Sequence, residues 1–308
     1  ILRSAEIMAL MKRAREFGLN PVTAQADLSA IVDRKNRLVQ EFADYRIAAL
    51  RDPRFTLYES RAEFLSPHDI RAGEVRIRGG AFVIATGSSP ADVAIPGLNE
   101  AGYLTSDEIL DVRRPPVSLL VLGGGLVAVE FAQFFARIGT KVTMLQRGAT
   151  LLSDMDEDIG QALAGAFRDE GIDVITGVSF QRVTSTSSEK TVHFLQGGVV
   201  QTRSAETILQ ALGRRPNLKG LNLEAAGVRV VEGRLVVGGD MRTSQPHIFA
   251  VGDVNDLTPI VHLAIQQGET AALNATHPNE PARVIDHVLD TEVVFTEPQV
   301  AVAGMSER

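Results

Sequence analysis

The residues best placed to do chemistry lie between Ser118 and Arg147, SLLVLGGGLVAVEFAQFFARIGTKVTMLQR. A short apolar run, Leu119 to Leu122, meets Gly123-Gly124-Gly125, a helix-length apolar segment follows, and a second strand-like run, Lys141 to Leu145, closes the unit. The spacing Gly123-x-Gly125-x-x-Ala128 is that of a dinucleotide-binding turn with Ala in third place. Gly123 permits the tight turn, Gly125 lets backbone approach a pyrophosphate, and Ala128 lets helix and strand pack closely. The phosphates then meet Leu126, Val127 and Ala128 at a helix N-terminus, where free N–H groups and the helix dipole favour negative charge. A second strand that ends in an acidic residue suits the ribose 2'-hydroxyl of NAD. Here that position holds Gln146 followed by Arg147, which removes a repulsive carboxylate and supplies a planar donor fork for a 2'-phosphate. The pair favours NADP over NAD, although an arginine at a strand end is also an ordinary surface charge.

Three further places have the right residue types. A strand-like run ends in Ala85-Thr86-Gly87-Ser88, where Gly87 would allow close approach to a bound group and Thr86 offers a hydroxyl; an ordinary strand-to-loop turn reads the same way. The apolar strand Pro246 to Val251 ends in Gly252-Asp253, with Asp253 set to accept hydrogen bonds from a sugar-alcohol chain or to cap the helix expected over Pro259 to Thr276. Glu130 interrupts the apolar run Leu126 to Phe135, and an acid in such a run has a partner, a task, or a dipole to rest on.

These residues need a framework. The chain has 308 residues, 44% hydrophobic and 22% charged, enough for two or three domains of ordinary globular composition. A net charge of -7 without a basic run argues against nucleic acid or an anionic membrane as partner, and no apolar segment is long enough to span a bilayer. Cysteine is absent. The opening Ile1-Leu2-Arg3 carries no initiator Met and no cleavage-type segment, so a fragment of a cytoplasmic protein is expected.

Helical spacing predicts a helix up to Phe17, stopped by Gly18, and a longer one over Asp27 to Leu50 whose face Ile31, Leu38, Phe42, Tyr45 would be core. Short strands are expected at Phe55 to Leu57, Ala62 to Leu65, Glu74 to Ile77 and Ala81 to Ala85. Thr105-Ser106-Asp107-Glu108 reads as a capped helix start, and Asp154 to Glu170 as an amphipathic helix stopped by Gly171. Val174-Ile175, Phe180 to Val183, Thr191 to Leu195 and Val199 to Thr202 fit a small meander on the nucleotide unit. Thr207 to Ala211 returns as a buried strand, and Leu221 to Met241 is strand-like again.

In order along the chain, ATGSSP at Ala85 to Pro90, IPGL at Ile95 to Leu98, the glycine fingerprint, GRRPN at Gly213 to Asn217, IFAVGDV at Ile248 to Val254 and FTEPQVAVAG at Phe295 to Gly304 resemble the class I pyridine nucleotide-disulfide oxidoreductases. The resemblance implies an α/β fold of two Rossmann-like FAD/NAD(P)-binding domains, each with a parallel sheet and a small β-meander, the nucleotide domain inserted into the FAD domain. It divides the chain into 1–104 (first FAD segment), 105–217 (NAD(P) domain), 218–292 (second FAD segment) and 293–308 (start of a dimerisation domain). It also implies cofactor contacts at Thr86, Gly87, Gly213, Arg214 and Gly252, with Asp253 on the flavin ribityl chain. His262, Leu263 and Ala264 would lie at the flavin ring edge, with His262 packing locally rather than acting as a base. Glu130 is expected beside the nicotinamide, paired with a lysine upstream of this chain.

The family's first FAD fingerprint and Cys-x4-Cys pair fall before Ile1, and its His–Glu acid-base pair after Arg308. The implied activity is hydride transfer between NAD(P)H and FAD, coupled to a small-molecule disulfide or another electron acceptor in a homodimeric parent. A dihydrolipoamide dehydrogenase-like substrate is the first expectation; a thiol-free transhydrogenase, a mercuric reductase, or a non-catalytic nucleotide-binding module are the alternatives. Val293-Val294-Phe295, without the sheet it would join, is expected to leave an apolar edge exposed.

Overall fold

The strand Ser118–Leu122 sets the layering of the central unit. In the computed structural model, which describes residues 1–20 and 22–306, it lies between Thr207–Gln210 and Lys141–Gln146 in a four-stranded sheet whose far edge is Asp173–Thr176, all parallel. Successive strand residues point to opposite faces, so an uninterrupted apolar strand needs cover on both. Leu119 and Val121 pack with Ala128, Ala132 and Phe135 of the helix Leu126–Arg137, while Leu120 and Leu122 pack with Val183, Val192 and Phe194 of an antiparallel meander. The meander consists of Val178–Ser185, Lys190–Gln196 and Val199–Ala205. Helix, sheet and meander thus form three layers with two dry interfaces.

A second unit contains the parallel pair Phe82–Ile84 and Ile248–Ala250, the antiparallel strands Ala62–Ser66, Asp69–Ala72 and Val75–Arg78, and the helix Val261–Thr276. The chain crosses between the units twice, and the crossings pair with each other: Ser88–Pro90 runs antiparallel to Arg214–Pro216. The fold class is mixed α/β, with parallel sheets and meanders as expected. Asp27 caps the helix Leu28–Leu50 through Ala30 N–H, and Thr105 with Glu108 forms a capping box, both at the expected starts.

Five expectations need correction. The face Leu38, Phe42, Tyr45 is not core: these residues are 41%, 62% and 70% exposed, and only the first turns of that helix dock, through Leu28, Val32 and the half-buried Ile31. Apolar periodicity identifies a face without saying what covers it. Phe55 to Leu57 is irregular, with Phe55 and Leu57 exposed and no ladder partner among the described residues. Val174-Ile175 belongs to the parallel sheet as its edge strand rather than to the meander. Most of Leu221 to Met241 is turn or irregular, with one tight hairpin, Val230–Val231 against Arg234–Leu235, closed by the positive-φ pair Glu232-Gly233. Thr291–Val294 pairs with Val300–Ala303 and buries Val294 in the main core, although Val293 and Phe295 stay exposed. Residues 307 and 308 of the expected terminal segment lie outside the described residues.

The helix Glu157–Asp169 offers an internal comparison of two glycines. A Cβ on Gly160 would come within 2.1 Å of the Leu151 carbonyl oxygen, whereas one on Gly165 would meet nothing within 4 Å. Gly165→Ala is expected to stabilise the chain by about 0.5–1 kcal/mol and Gly160→Ala to destabilise it. Urea denaturation midpoints measure both; equal shifts would contradict the packing described.

Candidate functional site

The glycine turn is held by contacts that only glycine allows. Gly123 has φ of 121°, and a Cβ there would sit 2.3 Å from the Ala211 carbonyl oxygen of the neighbouring strand's exit. A Cβ on Gly124 would press on Gln146 and Leu151 at about 2.9–3.0 Å. Gly125 is different: a Cβ would meet nothing within 4 Å, because this residue faces open space. It is also the N-cap of the helix Leu126–Arg137, whose first intrahelical bond runs from Val129 N–H to Gly125 C=O at 3.1 Å. The amides of Leu126, Val127 and Ala128 therefore precede the ladder at the positive end of a 12-residue helix. Ala128 itself is fully buried, making the close helix–strand contact expected of it.

That helix end opens into a cleft of about 670 Å³, within the usual range for a cofactor site. The cleft gathers Gly123, Gly125, Leu126, Val127, Gln146, Arg147, Gly213, Arg214 and Asp253. Gln146 is buried, its amide donating to the Thr150 carbonyl at 3.3 Å and its side chain lying under Gly124, so it forms floor. Arg147 is exposed at the wall. At the other end, Arg214 Nε donates to Ser88 Oγ at 2.7 Å, and Ser88 Oγ–H donates to Asp253 Oδ2 at 2.7 Å. Ser88, Ser106, Asp154 and Asp256 also line the cleft and were not singled out in the sequence. Ser88 sits inside ATGSSP, the one signal that pointed to it.

The remaining site residues lie elsewhere. Thr86 donates its hydroxyl to the Asn217 carbonyl at 2.9 Å, and Asn217 Nδ2 returns a bond to the Thr86 carbonyl at 3.0 Å, a clamp across the two crossings with Gly87 in its turn at φ of 69°. Gly252 donates its N–H to Gln267 Oε1 at 2.7 Å. His262 bonds Thr291 Oγ1 through Nε2 at 3.1 Å, Leu263 is buried, and Ala264 N–H is already bonded to Ile260 C=O at 2.9 Å. Of these three, His262 and Leu263 thus keep amides ahead of their helix ladder. Glu130 is half-buried and accepts the Phe295 N–H at 3.0 Å. Burial pushes its carboxyl above the ordinary value, and the Phe295 amide partly opposes this.

The chain as a whole has counterparts among known proteins. The family model described as pyridine nucleotide-disulphide oxidoreductase matches residues 6–268. This chain belongs to that family. It is similar to a mercuric reductase of Staphylococcus aureus, 34% identical over 310 residues, which cover 100% of this chain and 56% of that protein. A dihydrolipoyl dehydrogenase of Bacillus subtilis is 30% identical over 316 residues, 100% of this chain and 68% of that protein. Among solved structures, the HOCl-induced flavoprotein disulfide reductase RclA from Escherichia coli aligns with a TM-score of 0.83 at 28% identity, covering 97% of this chain and 66% of that one. The chain therefore spans about half the length of the mercuric reductases it matches.

The residues fit the groups that this family implies. For a pyridine nucleotide, the cradle at Gly125 is open where a Cβ would otherwise intrude. For a flavin, the groups that would hold it are Asp253, the free end of the Val261–Thr276 helix, and Gln267, whose fully buried Nε2 has no partner among the described residues. An orphaned buried donor beside the Gly252-Asp253 turn suits a ligand rich in acceptors. Among the described residues no helix is long and apolar enough to cross a membrane.

The raised carboxyl of Glu130 has a measurable sign. Because the fold disfavours its ionised form, the penalty is absent at pH values below the ordinary glutamate value of 4.5 and grows as pH rises through it to the raised value. Glu130→Gln removes that penalty. The melting temperature of Glu130→Gln relative to wild type is therefore expected to be more favourable at about pH 8 than at about pH 5. A difference that does not change with pH would contradict this.

Proposed function

We propose that the chain is the cofactor-handling part of an FAD-dependent NAD(P)H:disulfide oxidoreductase, with residues 105–217 as the nucleotide domain inserted between FAD segments 1–104 and 218–292, and 293–308 leading into a dimerisation domain. The observation that carries the reading is the single cleft that joins the helix end at Gly125 to Asp253. A dinucleotide whose phosphates rest on the Leu126 and Val127 amides extends along this cleft toward the Gly252-Asp253 turn. When bound, the flavin supplies a hydride acceptor. The chain's own residues hold and orient: the glycine turn takes the pyrophosphate, Asp253 accepts a ribityl hydroxyl, and Glu130 borders the nicotinamide.

The nucleotide is NADP(H). Arg147 makes no ion pair among the described residues and stands at the cleft wall, while the strand end carries the neutral Gln146 turned into the floor, so a 2'-phosphate finds a free guanidinium and no carboxylate at the strand end itself. The electron acceptor is a small disulfide, and the parent is a homodimer. A second reading, reduction of mercuric ion, draws on the greater identity to mercuric reductases, 34% against 30% for a dihydrolipoyl dehydrogenase. Cysteine is absent from the 308 residues, so a thiol step in either reading uses residues outside them.

Calorimetry of the chain tests this. NADPH is expected to bind, NADH more weakly, and Arg147→Ala to weaken NADPH by roughly ten- to hundredfold, the loss of a charge-assisted bond, while leaving NADH nearly unchanged. Tight FAD binding with no pyridine nucleotide binding would overturn the assignment.

A further inference from the structure

One stripe of the helix Leu126–Arg137 carries Glu130, Gln133 and Arg137, three or four residues apart on an otherwise apolar helix. All three engage the segment linking the strands Thr291–Val294 and Val300–Ala303. Phe295 N–H donates to Glu130 Oε1 at 3.0 Å. Gln133 is 3% exposed, and its Nε2 donates to the Glu297 carbonyl at 2.7 Å while its Oε1 accepts the Glu297 N–H at 2.8 Å. Arg137 pairs with the Glu297 carboxylate at 2.9 Å and with Glu170 at 2.6 Å.

The Gln133 amide thus pairs with both polar backbone groups of one residue, as an adjacent strand would. Its orientation is unique. Nε2 gives its second N–H to Glu170 Oε1 at 2.8 Å, and a flipped amide would set oxygen against that carboxylate and NH2 against the Glu297 N–H. Because these bonds go to main chain, they fix the course of the segment whatever side chain stands at 297. The Phe295 amide that meets Glu130 lies two residues away.

We propose that Gln133 is a positioning residue for Glu130: by clamping the main chain at Glu297 it keeps the Phe295 amide on the Glu130 carboxyl and so sets where that group stands beside the nicotinamide. The proposal rests on the reading of Glu130 as a nicotinamide neighbour. Arg137 has a separate duty, tying the Glu297 side chain to Glu170. Burial works to lower its basicity, and the Glu170 and Glu297 carboxylates outweigh burial and hold it charged. The groups that set the Glu130 titration are burial and the Phe295 amide, with no charged side chain among them.

Three variants of the 308-residue chain separate these duties. Gln133→Met keeps volume and removes both clamp bonds, and Gln133→Asn, one methylene shorter, serves in its place where Met does not fold. Glu297→Gln removes the ion pair and leaves the backbone pairing. By NMR, Gln133→Met is expected to speed amide exchange at Phe295 and Glu297 by roughly ten- to hundredfold, through loss of the Glu297 bond and loosening of the Phe295 bond. It should also shift the pH at which the Glu130 carboxyl titrates, since the segment that bears its one hydrogen-bonding amide is released; loss of stability alone would move neither Phe295 exchange nor this titration selectively. Glu297→Gln is expected to change neither. In a double-mutant cycle read by NADPH affinity, Gln133→Met has an effect in wild type that disappears in Glu130→Gln. Unchanged Phe295 exchange and Glu130 titration in Gln133→Met would overturn the proposal, as would an effect on NADPH that persists without the Glu130 carboxyl. A wild-type chain that binds no pyridine nucleotide instead defeats the nicotinamide reading, with the exchange and titration results still reporting on the clamp.

Discussion

The close passage of backbone past backbone at Gly123 and Ala211 is the constraint on which the rest depends. Two adjacent parallel strands, Ser118–Leu122 and Thr207–Gln210, must leave the sheet side by side, and a side chain at Gly123 would occupy the space of the Ala211 carbonyl oxygen. Because that space is free, the helix Leu126–Arg137 starts directly over the sheet's C-terminal edge. Its first amides are then aimed into the cleft instead of being spent on capping side chains, and no side chain among the described residues caps it. The apolar layers exist on both faces to hold this edge still: Leu119 and Val121 anchor one, Leu120 and Leu122 the other.

From that edge the cleft reaches the second unit through groups distant in sequence. Arg214, Ser88 and Asp253 form a continuous run of two 2.7 Å hydrogen bonds linking both crossings to the Gly-Asp turn. The Thr86–Asn217 clamp lies beside it. Asp253 thus stands one hydroxyl away from a guanidinium that lines the cleft.

Much of this was legible in the residues. The strands of the parallel sheet announce themselves because burial on both faces demands unbroken apolar runs, and the fingerprint because its glycines are needed for steric reasons. Glu130 stood out as an acid in an apolar run, but its partner is a main-chain N–H, which no side-chain type encodes. Ser88 carries no local mark of its role, because the guanidinium that engages it is 126 residues away. Local pattern gives a strand's existence and not its neighbour, so Val174-Ile175 reads as meander although it pairs in the parallel sheet. The exposed stripe Leu38, Phe42, Tyr45 was read as core for a related reason: periodicity records that a face is apolar, and the cover over it is a tertiary fact.

The account stands on bare amides at the Gly125 helix end receiving a pyrophosphate. Backbone NMR of the chain during titration with NADPH measures this most directly. The account predicts that the largest amide shifts fall at Gly125, Leu126 and Val127, with Arg147 following; shifts confined to other parts of the chain, or none at saturating nucleotide, would contradict it.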